Sequence, residues 1–141
     1  MTISFEVPGE PKGKGRPRFA KRGDFVQTYT PEGTASYENL VKVMYYNAAG
    51  SKKLEGPISM EAAFYFGIPK SKPKKTQAAM RSGQIKPTIK CDIDNIVKIV
   101  LDGLNKVAFD DDKQIVALKA RKEYSETPRV VITLSELDER S

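Results

Sequence analysis

Between Lys90 and Lys113 the chain carries six carboxylates, Asp92, Asp94, Asp102, Asp110, Asp111 and Asp112, opposed only by Lys98 and Lys106. Asp92 and Asp94 stand two apart in what reads as extended chain just before a helix, so both side chains can point the same way. Asp94, Lys98 and Asp102 follow at i, i+4 and i+8, on one helix face opposite Ile96, Ile99 and Leu104. If the strand that starts at Ile115 pairs beside the helix start, the acidic turn returns to Asp92 and Asp94. Three carboxylates then converge with a lysine beside them. Carboxylates brought together repel unless a cation sits among them, and oxygen donors suit hard ions such as Mg²⁺ or Mn²⁺. The plainer alternative is that these acids are solvated caps and turns. Lys98 would then be an i, i+4 partner of Asp94 or Asp102, worth a few tenths of a kcal/mol, a role compatible with the first.

The charge around this segment points to a polyanion. The stretch Pro69–Lys90 holds Lys70, Lys72, Lys74, Lys75, Arg81, Lys86 and Lys90 with no acid, and the whole chain has a net charge of +6. A cation bordered by a basic rim is what phosphodiester hydrolysis requires. The metal activates water and clamps phosphate oxygens, and the rim holds the backbone. The chain has no histidine, which removes Ser-His-Asp and Cys-His machinery and histidine-ligated metals. Its single cysteine, Cys91, excludes an internal disulfide and a multi-cysteine zinc site. D-I-D-N does not complete a calcium-loop pattern. No glycine-rich phosphate loop precedes a helix, and no nucleotide-binding βαβ unit accompanies the D-x-D.

The elements that must position these groups follow from periodicity. Thr2–Val7 alternates as a strand, with Ile3, Phe5 and Val7 on one face. The run PGEPKGKGRPRFAKRG reads as an irregular basic arm. Thr30-Pro31-Glu32 is a helix start, Tyr37, Leu40, Val41, Met44 and Ala48 form its buried stripe, and Gly50 ends it. Ile58, Met60, Ala62, Phe64 and Phe66 alternate as a second strand under that helix. Pro73–Arg81 forms a short helix closed by Ser82-Gly83. Residues 94–107 form the second long helix, with Ile96, Ile99, Val100, Leu104 and Val107 inward. Ile115–Tyr124, with Val116, Leu118 and Ala120 on one face, and Arg129–Leu134 are strands joined at Ser125–Pro128 and pair as a hairpin. The expected fold is α+β, in the order β-α-β-(α)-α-β-β, a mixed sheet with helices packed on one face. Its 141 residues fit one domain. No apolar run is long enough for a membrane helix and the start lacks a signal-peptide pattern, so the expected compartment is the cytoplasm, with no membrane partner.

The run from Lys90 to Ile115 resembles the RusA family of Holliday junction resolvases, mostly phage- or prophage-borne. The family pattern is approximately D-h-D-N-h-x-K, then h-D-x-L-N, then D-D-x-Q-h. P-K-G-K-G-R-P-R at Pro11–Arg18 and the lysine-rich stretch before Lys90 extend the match over nearly the whole chain, 1–141. The resemblance implies an α+β homodimer that nicks opposed strands of four-way DNA junctions with Mg²⁺, for which Mn²⁺ can substitute. It implies Asp92, Asp94 and Asp112 as metal ligands, with Asp112 chosen because it directly precedes Lys-Gln. Asp111 and Asp110 stay open as alternatives within the triple acid. Lys98 matches the active-site lysine. Lys14, Arg16, Arg18, Lys72, Lys74 and Lys75 are the expected DNA contacts. Cys91 departs from the Pro or basic residue common there and puts a soft thiol beside a hard-metal site. The dimer surface would come from helix 94–107 or the nearby strands. Two rival functions are a non-catalytic nucleic-acid-binding module, which would bind equally with and without Mg²⁺, and a metal-dependent nuclease acting on flaps or RNA.

Overall fold

Ile58, Met60, Ala62, Phe64 and Phe66 are almost completely buried at alternate positions, and Ala63 is buried too, so β4 (Ile58–Gly67) can only be an interior strand. The computed structural model describes residues 1–14, 18–22, 25–29 and 32–137. In it β1 (Thr2–Pro8), β4, β5 (Ile115–Ser125) and β6 (Arg129–Glu136) form a four-stranded sheet in the order β1-β6-β4-β5. β6 runs antiparallel to β1 and to β4, and β5 lies parallel to β4. The register aligns Phe5, Ile132, Ala62 and Ala120 in one row and Ile3, Leu134, Met60 and Leu118 in another.

That face of the sheet meets α1 (Glu32–Ala49) and α3 (Ile93–Leu104) in a single core. Tyr37, Val41 and Tyr45 of α1 and Ile96, Ile99, Val100 and Leu104 of α3 are buried in it. The two helices approach closely at Gly103. A Cβ there would stand 2.9 Å from Val41 Cβ and 3.0 Å from the Glu38 carbonyl oxygen. α2 (Lys74–Ser82) ends where expected: Gly83 takes φ +87 and its N–H returns to the last turn. The mixed α+β architecture with helices on one face is as the sequence predicts.

Four local expectations change. β5 and β6 do not pair as a hairpin, because β4 lies between them. The link through Glu126–Pro128 passes over the end of β4 at Gly67, where a Cβ would stand 3.2 Å from Pro128 Cγ. The long apolar strand takes the centre, where both its edges are paired, and β5 is left as an edge. The basic arm is not irregular throughout. β2 (Arg18–Arg22) and β3 (Phe25–Tyr29) form an antiparallel hairpin, drawn by Phe19, Phe25, Val26, Thr28 and Tyr29, which favour strands over the flanking Gly and Pro. In α1 the stripe runs through Tyr45 rather than Ala48, which is exposed; Thr30 and Pro31 lie outside the described residues. The third helix stops at Leu104, short of Val107, because Asn105 leaves helical geometry and Lys106 adopts φ +71.

Candidate active site

The helix that carries the acids starts without using them as caps. Asp92 occupies the N-cap position in an extended conformation, yet its side chain makes no capping hydrogen bond; its backbone carbonyl accepts from Asn95 and Ile96. Asp94 sits in the first turn. The cap reading of these carboxylates therefore fails, and their charges stay available to a ligand. Asp94 and Lys98 line a groove of about 400 Å³ between α3 and β5, together with Ile93, Val97, Leu101, Leu118, Ala120 and Asp112. Asp92 lines a different hollow of about 310 Å³, with Gly13, Lys14, Lys90, Cys91 and Asn95. The expected convergence is thus partial. Asp94 and Asp112 share one groove with Lys98, and Asp92 lines a separate hollow. Among the described residues, no three acids stand close enough to form a complete protein cage for an ion.

The triple acid separates into three roles. Asp110 is exposed and pairs with Lys53 at 3.1 Å. Asp111 caps a short 3₁₀ turn, Asp112–Gln114, by accepting the Lys113 N–H at 2.9 Å. That backbone bond holds its carboxyl below the usual range. Gln114 closes the same turn. Its side-chain oxygen accepts the N–H groups of Asp110 and Asp111, and its amide donates to the Gly56 carbonyl at 3.1 Å. Asp112 is the member of the triple that lines the groove, and its own N–H is held by Asn105 Oδ1 at 3.1 Å. Partial burial, then the hydrogen bond and charge of Asp111, push the Asp112 carboxyl up. A carboxylate crowded by like charge in this way is one that a cation would relieve.

Lys98 keeps a side chain 62% exposed at the groove, 3.7 Å from Asp102 Oδ1. The i, i+4 partner is therefore Asp102, and the ammonium remains accessible. Lys72 and the first-turn residues Lys74 and Lys75 of α2 are exposed and make no ion pair among the described residues. Arg81 and Lys86 of the same basic stretch are instead paired with Glu126 and Glu123. Arg16 lies outside the described residues, and of Arg18 only the backbone, in β2, is described. Lys14 is different from the other expected DNA contacts: Glu38 and Asp102 already hold its ammonium, at 2.6 and 2.9 Å. Burial works against that charge, but the hydrogen bonds and charges of the two acids outweigh it and raise the Lys14 pKa.

Sequence reading missed two positioning residues. Lys122 donates to the carbonyls of Ile89 and Cys91 at 2.7 and 2.9 Å, and so ties the loop leading into Asp92 to the sheet. Its signal was a lysine in the register of Leu118, Ala120 and Tyr124, where an apolar residue was due. Asn105 joins the end of α3 to Asp112; the L-N of the family pattern marked the residue, but no residue type or spacing assigned it this role.

A family model described as endodeoxyribonuclease RusA matches residues 8–135. The chain belongs to the RusA family. It is 37% identical over 137 residues to the uncharacterized protein YqaN of Bacillus subtilis (strain 168), covering 96% of each chain. It is also 27% identical over 136 residues to the crossover junction endodeoxyribonuclease rusA of Lactococcus phage r1t, covering 96% of this chain and 97% of that one. RusA proteins are nucleases of the Holliday-junction-resolving class and generally depend on a divalent metal. In the RusA fold of this chain, the family's acidic pattern lies on the start of α3 and on the turn before β5, where Asp94, Lys98 and Asp112 line a common groove. No helix among the described residues is long and apolar enough to cross a membrane.

Proposed function

We propose that this chain resolves four-way DNA junctions as a Mg²⁺-dependent homodimer in the cytoplasm, by paired nicks in opposed strands. The observation that carries the reading is the groove in which Asp94, Asp112 and Lys98 meet. The donors fit a hard divalent ion. They are carboxylate oxygens, Asp112 is crowded by like charge, and Mg²⁺ is commonly held by one or two carboxylates plus waters and substrate phosphates rather than by a full protein cage. Asp94 and Asp112 would hold it, with Asp92, at the N-cap of the same helix, as the third acid. Bound there, Mg²⁺ supplies an activated water and charge stabilisation on the scissile phosphate.

The chain's own residues do the rest. Asn105 and the Asp111–Gln114 cap fix the backbone on which Asp112 rides. Lys98 offers an accessible ammonium to the charge that develops on the phosphate. Lys72, Lys74, Lys75, Arg16 and Arg18 grip flanking backbone without reading bases. A junction has two-fold symmetry, and two opposed nicks need two grooves related by the same axis, hence the dimer.

The test is cleavage of matched four-way junction, flap, duplex and RNA substrates with Mg²⁺, with Mn²⁺ and with chelator. The reading expects metal-dependent cutting of the junction above all others. Equal binding with and without metal and no cutting would leave a binding module. Preference for flaps or RNA would move the substrate.

A further inference from the structure

One chain of ion pairs joins the basic arm to the groove helix. Lys14 donates its backbone N–H to the Asn95 carbonyl at 3.2 Å. Its ammonium lies 2.6 Å from Glu38 Oε1 on α1 and 2.9 Å from Asp102 Oδ2 on α3. The other oxygen of Asp102 is the one that faces Lys98, at 3.7 Å. The Lys14, Glu38 and Asp102 side chains are between 16% and 24% exposed, whereas Lys98 at the end of the chain is largely in solvent. Beside Lys14, Gly13 packs so tightly that a Cβ would stand 3.0 Å from Cys91 Cβ and 3.5 Å from Asn95 Cβ. The arm therefore docks on the segment, Cys91 to Asn95, that bears Asp92 and Asp94.

A lysine that grips phosphate needs a free ammonium. This one is spent on two carboxylates that would otherwise face each other at the α1–α3 contact. With Lys14 neutral, Asp102 would lose its fixed partner, and Lys98, held by nothing else among the described ion pairs, would be the only cation left to answer it.

We propose that Lys14 is a positioning residue of the nuclease site: it fixes one oxygen of Asp102 so that the other steers Lys98 at the groove, and it fastens the basic arm to the segment carrying Asp92 and Asp94. The proposal rests on the reading of the groove as the nuclease site. It moves Lys14 from the set of DNA contacts to the support of the chemistry.

The experiment compares wild type, Lys14→Met and Lys14→Arg in junction binding and in single-turnover cleavage at saturating protein. Lys14→Met should cut roughly 10- to 100-fold more slowly, the usual cost of losing an outer supporting partner. Its junction affinity and its slope of log affinity against log salt should stay at wild-type values. Lys14→Arg, whose guanidinium can serve both carboxylates, should recover most of the rate. In a Lys98→Ala background the Lys14→Met effect should largely vanish, because the two act through one path. A slope lower by about one with an unchanged saturated rate would make Lys14 a phosphate contact and overturn the proposal. Additive losses in the double variant would overturn it as well. Should wild type cut nothing, the nuclease reading falls, and the clamp is read in the protein alone by hydrogen exchange. The amides of residues 12–14 and the first turn of α3 should exchange faster in Lys14→Met and at wild-type rates in Lys14→Arg; equal exchange in all three overturns the clamp.

Discussion

Asp110, Asp111 and Asp112 are chemically identical and adjacent, yet their surroundings assign them different work. Asp110 reaches Lys53, Asp111 accepts a backbone N–H, and Asp112 lines the groove with Asp94 and Lys98. Asp112→Asn should therefore abolish junction cleavage and leave binding intact, while Asp110→Asn should cut at near wild-type rate. Single-turnover assays on both variants check the assignment, and loss of cleavage in Asp110→Asn alone would reverse it. Lys98 makes a similar case. Its exposed side chain supports no core, so Lys98→Ala should lower the rate by orders of magnitude and barely move the melting temperature. A large fall in melting temperature with unchanged activity per folded molecule would make it a structural ion pair only. Residue types and spacing showed that a triple acid was present and that Asp94, Lys98 and Asp102 share a face, and the family resemblance singled out Asp112 because it precedes Lys-Gln. Which acid of the triple turns toward the groove depends on Asn105 and Gln114, whose hydrogen bonds exist only after the turn has closed.

The elements matter through their contacts with one another. Gly103 lies where α1 and α3 touch, with Val41 Cβ and a backbone oxygen within 3.0 Å of an added Cβ. Gly103→Ala should destabilise by about 1–3 kcal/mol, as overpacking does, even though alanine is the better helix former. Chemical denaturation measures it, and a stabilised variant would show that the helices can move apart freely. Glu136 links β6 to the chain before β4, accepting the Glu55 N–H at 2.8 Å, and this bond holds its carboxyl below the usual range. A lowered acid adds stability above its unfolded pKa and gives it up as pH falls through the folded pKa. Glu136→Gln should thus melt below wild type at neutral pH, with the difference closing in acid; a pH-independent difference would place the effect in packing. Periodicity predicted β1, β4, α2, β5 and β6 because alternation or a clear stop governs each. It could not predict that β4 parts β5 from β6, since a short turn between two strands looks the same whether they pair directly or flank a third. The β2–β3 hairpin was hidden by glycine, proline and charge at its ends.

Across the whole molecule, charge is separated by task. Carboxylates gather where α3 and the turn before β5 meet, and lysines with no ion pair among the described residues gather on and before α2. Lys74→Ala with Lys75→Ala should weaken binding to every junction sequence alike, lower the slope of log affinity against log salt by roughly one per lost contact, and leave the saturated cleavage rate near wild type. An unchanged slope would make these lysines mere solubilising charge. The measurement that bears most directly on the account is single-turnover cleavage of a synthetic four-way junction, against its matched linear duplex, across a Mg²⁺ titration. The account predicts no cutting in chelator, symmetric nicks in two opposed junction strands as Mg²⁺ rises, and an intact duplex throughout. Cutting that persists in chelator, or a duplex cut as fast as the junction, would contradict it.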